Sequence, residues 1–267
     1  MAPLVSIIMA CYNHEKYVTD TLKSIVAQTN TDWECIIVND GSTDNSSVVI
    51  KEFILDREKF TFIEQENKGV SVARNLAAKH ARGKYLLPID SDDLISPNFI
   101  QSLLDSFLKN PELTLVQPEV FLFGKKNKRW TLPPYSFKGL LAENMIVVSS
   151  LFRRSDFENV GGFDECMHKG SEDWEFFIRL LNAEKKVVKA EEAVIFYRIK
   201  THSKNAEVLA NRKTRFDTFE YIGRKNAIIY NQFFDSPLVL HHKLIECKKP
   251  LWKKMAKVCC NFLGLRF

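Results

Sequence analysis

Three carboxylates occupy four consecutive positions at the end of the apolar run "YLLPIDSDDLIS": Asp90, Asp92 and Asp93, around Ser91. Like charges that close raise one another's energy, so a fold that gathers them needs an offsetting positive charge. Two carboxylates suffice for Mg²⁺ or Mn²⁺ when a diphosphate supplies the remaining oxygens, and such an ion would neutralise the cluster. Asp-Ser-Asp alone is weak evidence, since most such stretches are solvated turns before a helix, and Pro97 supports a capping role for Ser96. Two further polar groups have the same character. "NDGSTDNS" is ordinary turn chemistry, yet Asp40 closes an apolar run one residue before Gly41, where backbone can approach a ligand. A carboxylate there can accept the N3–H of a pyrimidine, with Tyr12 offering a flat face. "SEDWEF" places Glu172 and Asp173 at a helix start, with Ser171 as the expected N-cap and Trp174 as an apolar anchor.

The elements that must position these residues follow from the hydrophobic pattern. "VSIIMA" (5–10), "ECIIVND" (34–40), "FTFIEQ" (60–65) and "KYLLPID" (84–90) read as strands. Residues 17–28, 46–56 and 69–81 between them have helical periodicity. Strand and helix in alternation predict crossover units and a mainly parallel sheet, whose ligands bind beyond the carboxyl ends of the strands. The polar clusters "CYNHE", "NDGSTDNS", "QENKG" and "DSDD" all fall at those ends. Beyond residue 110 the pattern is less regular. Strands are expected at 113–123 and 194–199, a basic proline-containing loop over "GKKNKRWTLPPYSFKG", and a helix over 171–183. Arg74, inside the third helix, has the bland reading of a surface arginine.

These motifs together resemble glycosyltransferase family 2. "VSIIMACYNHEKYVTDTLKSIVAQTNTDWECIIVNDGSTDNS", "NKGVSVARN", "YLLPIDSDD" and "SEDWEF" occur in the family's order, over about residues 4 to 203. The resemblance implies a GT-A fold: a Rossmann-like, mainly parallel sheet flanked by helices over residues 1–204, followed by a helical C-terminal extension over 205–267. It implies an inverting transferase that uses a nucleotide-sugar donor, usually UDP-linked, and a divalent metal, Mn²⁺ or Mg²⁺. By it Ala10, Tyr12 and Asp40 would border the base, and Arg74 the base or phosphates. Gly69, Ser91 and Glu172 would join them in the donor site. Asp90 would reach ribose or metal, Asp92 would bind the metal, and Asp173 would be the catalytic base. Many members have a histidine three residues after the tyrosine of the Tyr-Arg pair. Here "FYRIKTHSKN" has Lys200 there and His202 two further on; Lys200 is the preferred contact for the diphosphate.

Composition narrows the alternatives. The 267 residues are 45% hydrophobic and 27% charged, an ordinary globular balance. The six cysteines are scattered without Cys-x-x-Cys spacing, which favours reduced thiols over a disulfide frame or zinc site. No signal peptide and no membrane span are expected. The net charge of +5 is a tail property: residues 243–267 hold seven basic side chains against Glu246 alone, leaving −1 for the rest. A nucleic-acid-binding body is therefore not expected. "PLWKKMAKVCCNFLGLRF" segregates Trp252, Met255, Val258, Cys259, Phe262 and Leu263 from Lys253, Lys254 and Lys257 at helical spacing. Such a helix either packs on its own domain or lies on an anionic membrane, and the latter suits a cytoplasmic enzyme at the inner face of the membrane with a glycan or lipid-linked acceptor. The rival readings are a nucleotidyltransferase, which "ACYNHE" disfavours because it lacks a glycine-rich basic loop, and a binding module without turnover.

Overall fold

The computed structural model of the chain describes residues 2–168, 170–200, 211–236 and 239–240. Its first half has the predicted alternation: β1 (Val5–Cys11), α1 (Val18–Val26), β2 (Trp33–Asp40), α2 (Ser46–Ile54), β3 (Phe60–Gln65), α3 (Val70–His80) and β4 (Tyr85–Pro88). β1 and β2 are buried along nearly their whole lengths, and α3 packs against both. α1 turns Val18, Leu22 and Ile25 inward at one-turn intervals, and all three are fully buried.

The second half is mixed. It comprises β5 (Leu94–Ile95), α4 (Phe99–Lys109), β6 (Leu113–Gly124), β7 (Lys128–Trp130), α5 (Phe137–Ala142), β8 (Leu151–Arg153), α6 (Arg154–Asn159), α7 (Glu172–Leu180) and β9 (Lys186–Ile199). Two more helices, α8 (Arg212–Lys225) and α9 (Ala227–Phe233), follow. The strands form one sheet in the order β3-β2-β1-β4-β8-β6-β9-β5, with β7 paired to β6. The long pairings β1–β2, β1–β4, β2–β3 and β6–β9 are parallel, while each antiparallel pairing spans only two or three residues. The chain divides into two compact units, residues 1–222 and 223–267.

Three expectations are corrected. The basic loop after residue 124 contains β7, a hairpin strand whose exposed Lys128, Arg129 and Trp130 are held by pairing to β6. Ser96 does not cap α4, which starts at Phe99 with Asn98 as its cap residue; the Ser96 hydroxyl accepts from the Val194 N–H instead. Ser171 does not cap α7 through its side chain, because it adopts a left-handed conformation with φ +63°. Among the described residues, no helix is long and apolar enough to cross a membrane. The amphipathic segment from Pro250, His202 and residues 205–210 lie outside the described residues.

Candidate active site

The carboxyl ends of β1, β2 and β4 open onto a cavity of about 440 Å³. Its lining includes Ala10, Tyr12, Asp40, Gly69, Arg74, Asp90, Ser91, Asp92, Glu172 and Lys200, so every donor and metal residue expected from the sequence meets in one place. A cavity of that size suits a small organic ligand. Asp40, at the end of β2, is 3% exposed. Its Oδ1 accepts from Gln65 Nε2 at 2.6 Å and Lys68 N at 2.8 Å, and its Oδ2 from Gly69 N at 2.9 Å. A carboxylate has about four acceptor positions, so three of them hold the 65–69 turn and one is left for a ligand. Gly41 follows because the site requires it: φ is +69°, and a Cβ would lie 2.6 Å from the Asn67 nitrogen.

The three crowded carboxylates are relieved in three separate ways. Asp93 points inward, is 2% exposed, and accepts the Arg198 N–H at 2.8 Å. Burial, then the Asp92 and Asp90 charges, push its pKa up and disfavour its ionised form, and its inward position keeps it off the cavity lining. Asp90 is paired with Arg74, Nη2 to Oδ1 at 2.6 Å. Asp92 is paired with Lys200, Nζ to Oδ2 at 2.6 Å. Asp90 and Asp92 thus remain as the rim carboxylates, and Asp92 already holds a positive group. This donor set fits a hard divalent cation completed by phosphate oxygens.

Arg74 is not the surface residue that helix position allows. It is 3% exposed, its Nη1 donates to Glu172 Oε1 at 2.9 Å, and its guanidinium lies over the Phe163 ring. Burial works against its charge, but Asp90 and Glu172 outweigh that and hold its pKa above the ordinary value. It therefore joins the end of β4 to the start of α7. Asn75, next to it, fixes the other side of that joint by exchanging two hydrogen bonds, each 2.9 Å, with the Phe163 backbone.

α7 stands on an aromatic cluster of Phe152, Phe157, Phe163 and Phe176, with Phe163 and Phe176 4.5 Å apart at their centroids. Trp174 is buried beside it and donates Nε1–H to Leu140 O at 2.6 Å. Asp173 faces the other way, into a second cavity of about 250 Å³ that shares Arg74, Asp90, Glu172 and Tyr197 with the first. Asn144 Nδ2 donates to Asp173 Oδ2 at 3.0 Å, and the Trp174 N–H to its Oδ1 at 2.8 Å. Burial, then the Glu172 charge, pushes the Asp173 pKa up to about 7 against the pull of Arg74 and the two hydrogen bonds. A carboxylate held there is basic enough to take a hydroxyl proton near neutral pH.

Three site residues escaped the sequence reading. Asn144 belongs to a stretch with no motif and is found only through its contact with Asp173. Arg198 donates Nε–H to Asp92 O at 2.8 Å and stacks on Phe123 and Tyr17, and the Tyr-Arg pair was its signal. His14 sits in "CYNHE", between Ser91 and Lys200, at 2.7 Å and 2.9 Å. Burial, ahead of the opposing pull of Asp92, lowers its pKa and keeps the ring neutral.

An α/β sheet with a carboxylate-rimmed cavity at its strand ends, and a raised-pKa acid beside it, has the layout of an enzyme active site. The chain belongs to glycosyltransferase family 2, whose model matches residues 6–168, and it is a glycosyltransferase of GT-A fold. Residues 142–203 also match the model of the N-terminal domain of galactosyltransferase. The chain is 27% identical to Escherichia coli chondroitin synthase over 95% of its own length, but spans only 37% of that protein. S. aureus TarS 1-349, solved with UDP-GlcNAc, superposes with a TM-score of 0.68 at 21% identity, over 84% of this chain and 66% of that one. The mannosyltransferase PcManGT from Pyrobaculum calidifontis, solved with GDP-Man and Mn²⁺, gives 0.61 at 20% identity, over 78% of this chain and 60% of that one.

Proposed function

We propose that the protein transfers a sugar, with inversion, from a UDP-linked donor to a hydroxyl of a glycan or lipid-linked acceptor in cell-surface polysaccharide synthesis. The observation that carries this reading is the joining of two cavities through Arg74, Asp90, Glu172 and Tyr197, one edged by rim carboxylates and the other by Asp173. The chondroitin synthase likeness supports a polymer product, and the UDP-GlcNAc complex of TarS supports the donor class.

In this reading Tyr12 faces the base, the free acceptor position of Asp40 takes its N3–H, and Gly69 lets the ribose approach the backbone. Asp92 and Asp90 would hold Mn²⁺ or Mg²⁺, which when bound would neutralise the diphosphate and favour its departure. Arg74 holds Asp90 and Glu172 in place while the donor is bound. Asp173 takes the proton of the acceptor hydroxyl as that oxygen bonds to the anomeric carbon. The nucleoside diphosphate leaves from the opposite face with the bonding electrons, which gives inversion. Asn144 and the Trp174 N–H keep both oxygens of the base aligned. The basic amphipathic segment from residue 250 would bring this site to an anionic membrane at the cytoplasmic face.

The experiment is donor hydrolysis and thermal shift across a panel of nucleotide sugars, with Mn²⁺ and with EDTA. A stabilising shift with a UDP-sugar and turnover that Asp92→Asn removes are expected. Wild-type turnover in Asp92→Asn with unchanged Mn²⁺ dependence would refute the metal role. Membrane attachment is tested separately: deletion of residues 250–267 should abolish cosedimentation with anionic vesicles and leave donor hydrolysis intact.

A further inference from the structure

Lys200 Nζ lies 2.6 Å from Asp92 Oδ2 and 2.9 Å from His14 Nε2, and those two acceptors are 4.0 Å apart. An ammonium group has three donors and no lone pair, so His14 Nε2 must be accepting. The other side of the ring agrees. Ser91 Oγ donates its one proton to Ala10 O at 3.0 Å, and so must accept at 2.7 Å from His14 Nδ1–H. The imidazole is thereby held in a single tautomer, with a bare Nε2 lone pair aimed at a positive charge beside a carboxylate oxygen. A nitrogen and an oxygen donor converging on one cation, with the far ring nitrogen locked by a hydrogen bond, is the arrangement of a metal-binding histidine. Lys200 is on a flexible four-carbon stem and lines the donor cavity, so its charge can leave the pair without the backbone moving.

We propose that His14 Nε2 and Asp92 Oδ2 together ligate the divalent ion, and that the Lys200 ammonium is an exchangeable stand-in for it. Before the metal and nucleotide arrive, Lys200 offsets the Asp92 charge. Once they are bound, it turns into the cavity and pairs with the diphosphate. This inference rests on the reading of Asp92 as a metal ligand and adds a second protein ligand and a displaceable internal cation to it.

The test is Mn²⁺ binding followed by electron paramagnetic resonance on the full chain, first with the metal alone and then with UDP. Removing one positive charge from the seat should let Lys200→Met bind free Mn²⁺ about tenfold or more tightly than the wild type. The same variant should bind UDP more weakly when Mn²⁺ is present. Lys200→Arg, which keeps the charge, should bind free Mn²⁺ as poorly as the wild type. Pulsed measurement of the wild-type complex with Mn²⁺ and UDP should show imidazole-nitrogen modulation, and His14→Gln should lose it. A Lys200→Met variant that binds free Mn²⁺ no better than wild type overturns the stand-in role. Nitrogen modulation that survives in His14→Gln, or is missing from the wild type, overturns the ligand assignment even if the Lys200 variants do not fold. If the wild type takes up no Mn²⁺ even with UDP, the metal role of Asp92 and this inference fall together. Mn²⁺ uptake with UDP that is insensitive to both His14 and Lys200 leaves the Asp92 role standing and removes the inference alone.

Discussion

Replacing Asp173 by Asn should abolish transfer and yet make the protein more stable at alkaline pH. The carboxyl is raised from an ordinary 3.8 to about 7, chiefly by burial and then by Glu172. At about 1.36 kcal/mol per pH unit, ionising it inside the fold costs at most about 4 kcal/mol relative to the unfolded chain. Asn carries no charge, so this cost disappears. One of the two hydrogen bonds from Asn144 and the Trp174 N–H is lost, since an amide offers a single acceptor oxygen, at about 1 kcal/mol. This leaves a net gain of at most about 3 kcal/mol, or a Tm higher by up to about 6–12 °C. The sign follows from linkage. A raised folded-state pKa means that wild-type stability is greatest below the unfolded pKa, about 4, and declines as pH rises to about 7. The advantage of Asp173→Asn should therefore grow across that window and stay constant above it. Thermal melts at about pH 8 and pH 5.5, read beside transfer and donor-binding assays, check this. A variant that is less stable than wild type at the higher pH, or equally shifted at both, would show that Asp173 is a structural acceptor and not a carboxylate held in readiness.

Other perturbations test neighbouring links. The pH profile of kcat/KM should rise with pH and reach half its plateau near 7, and Asn144→Ala should move that limb to higher pH because it removes a donor to the ionised form; an unmoved limb would separate Asn144 from the base. Arg74→Met leaves Asp90 and Glu172 facing each other without their shared cation and should cost roughly 3–5 kcal/mol in urea unfolding, whereas wild-type stability would deny the clasp. Asp40→Ala should weaken UDP binding and also lower stability by roughly 1–3 kcal/mol, since three hydrogen bonds to the 65–69 turn go with it; loss of UDP affinity at unchanged stability would mean that the turn is held by other contacts. Gly41→Ala, forced into a left-handed conformation against the Asn67 backbone, should cost roughly 1–3 kcal/mol by the same unfolding assay.

The sequence determined most of the first half of this protein by itself. Apolar-rich runs such as Ile7–Cys11 and Cys35–Val38 have one comfortable place, the interior of a covered parallel sheet, and the helices between them carry their own periodicity. Polar residues at strand ends then reach one rim by topology alone, which is why Asp40, Asp90 and Asp92 were legible as a group; Asp173, on a helix, was singled out only through the family resemblance. The second half was less legible because its strands depend on partners. Lys128–Trp130 has no strand signal of its own and is ordered by β6, and the charged first half of Lys186–Ile199 is a strand because β6 lies beside it. What tertiary structure alone decided is how each charge is satisfied. Arg74 meets Glu172 across 98 positions and Lys200 meets His14 across 186, distances over which residue types carry no information about lateral neighbours. Three adjacent carboxylates look equivalent in a sequence. In the fold one is buried, one is clasped by arginine and one faces a lysine, because the pairing of β5 with β9 brings the end of β9 beside Asp92 and Asp93, Arg74 reaches from α3 to the start of α7, and desolvation acts on each group separately.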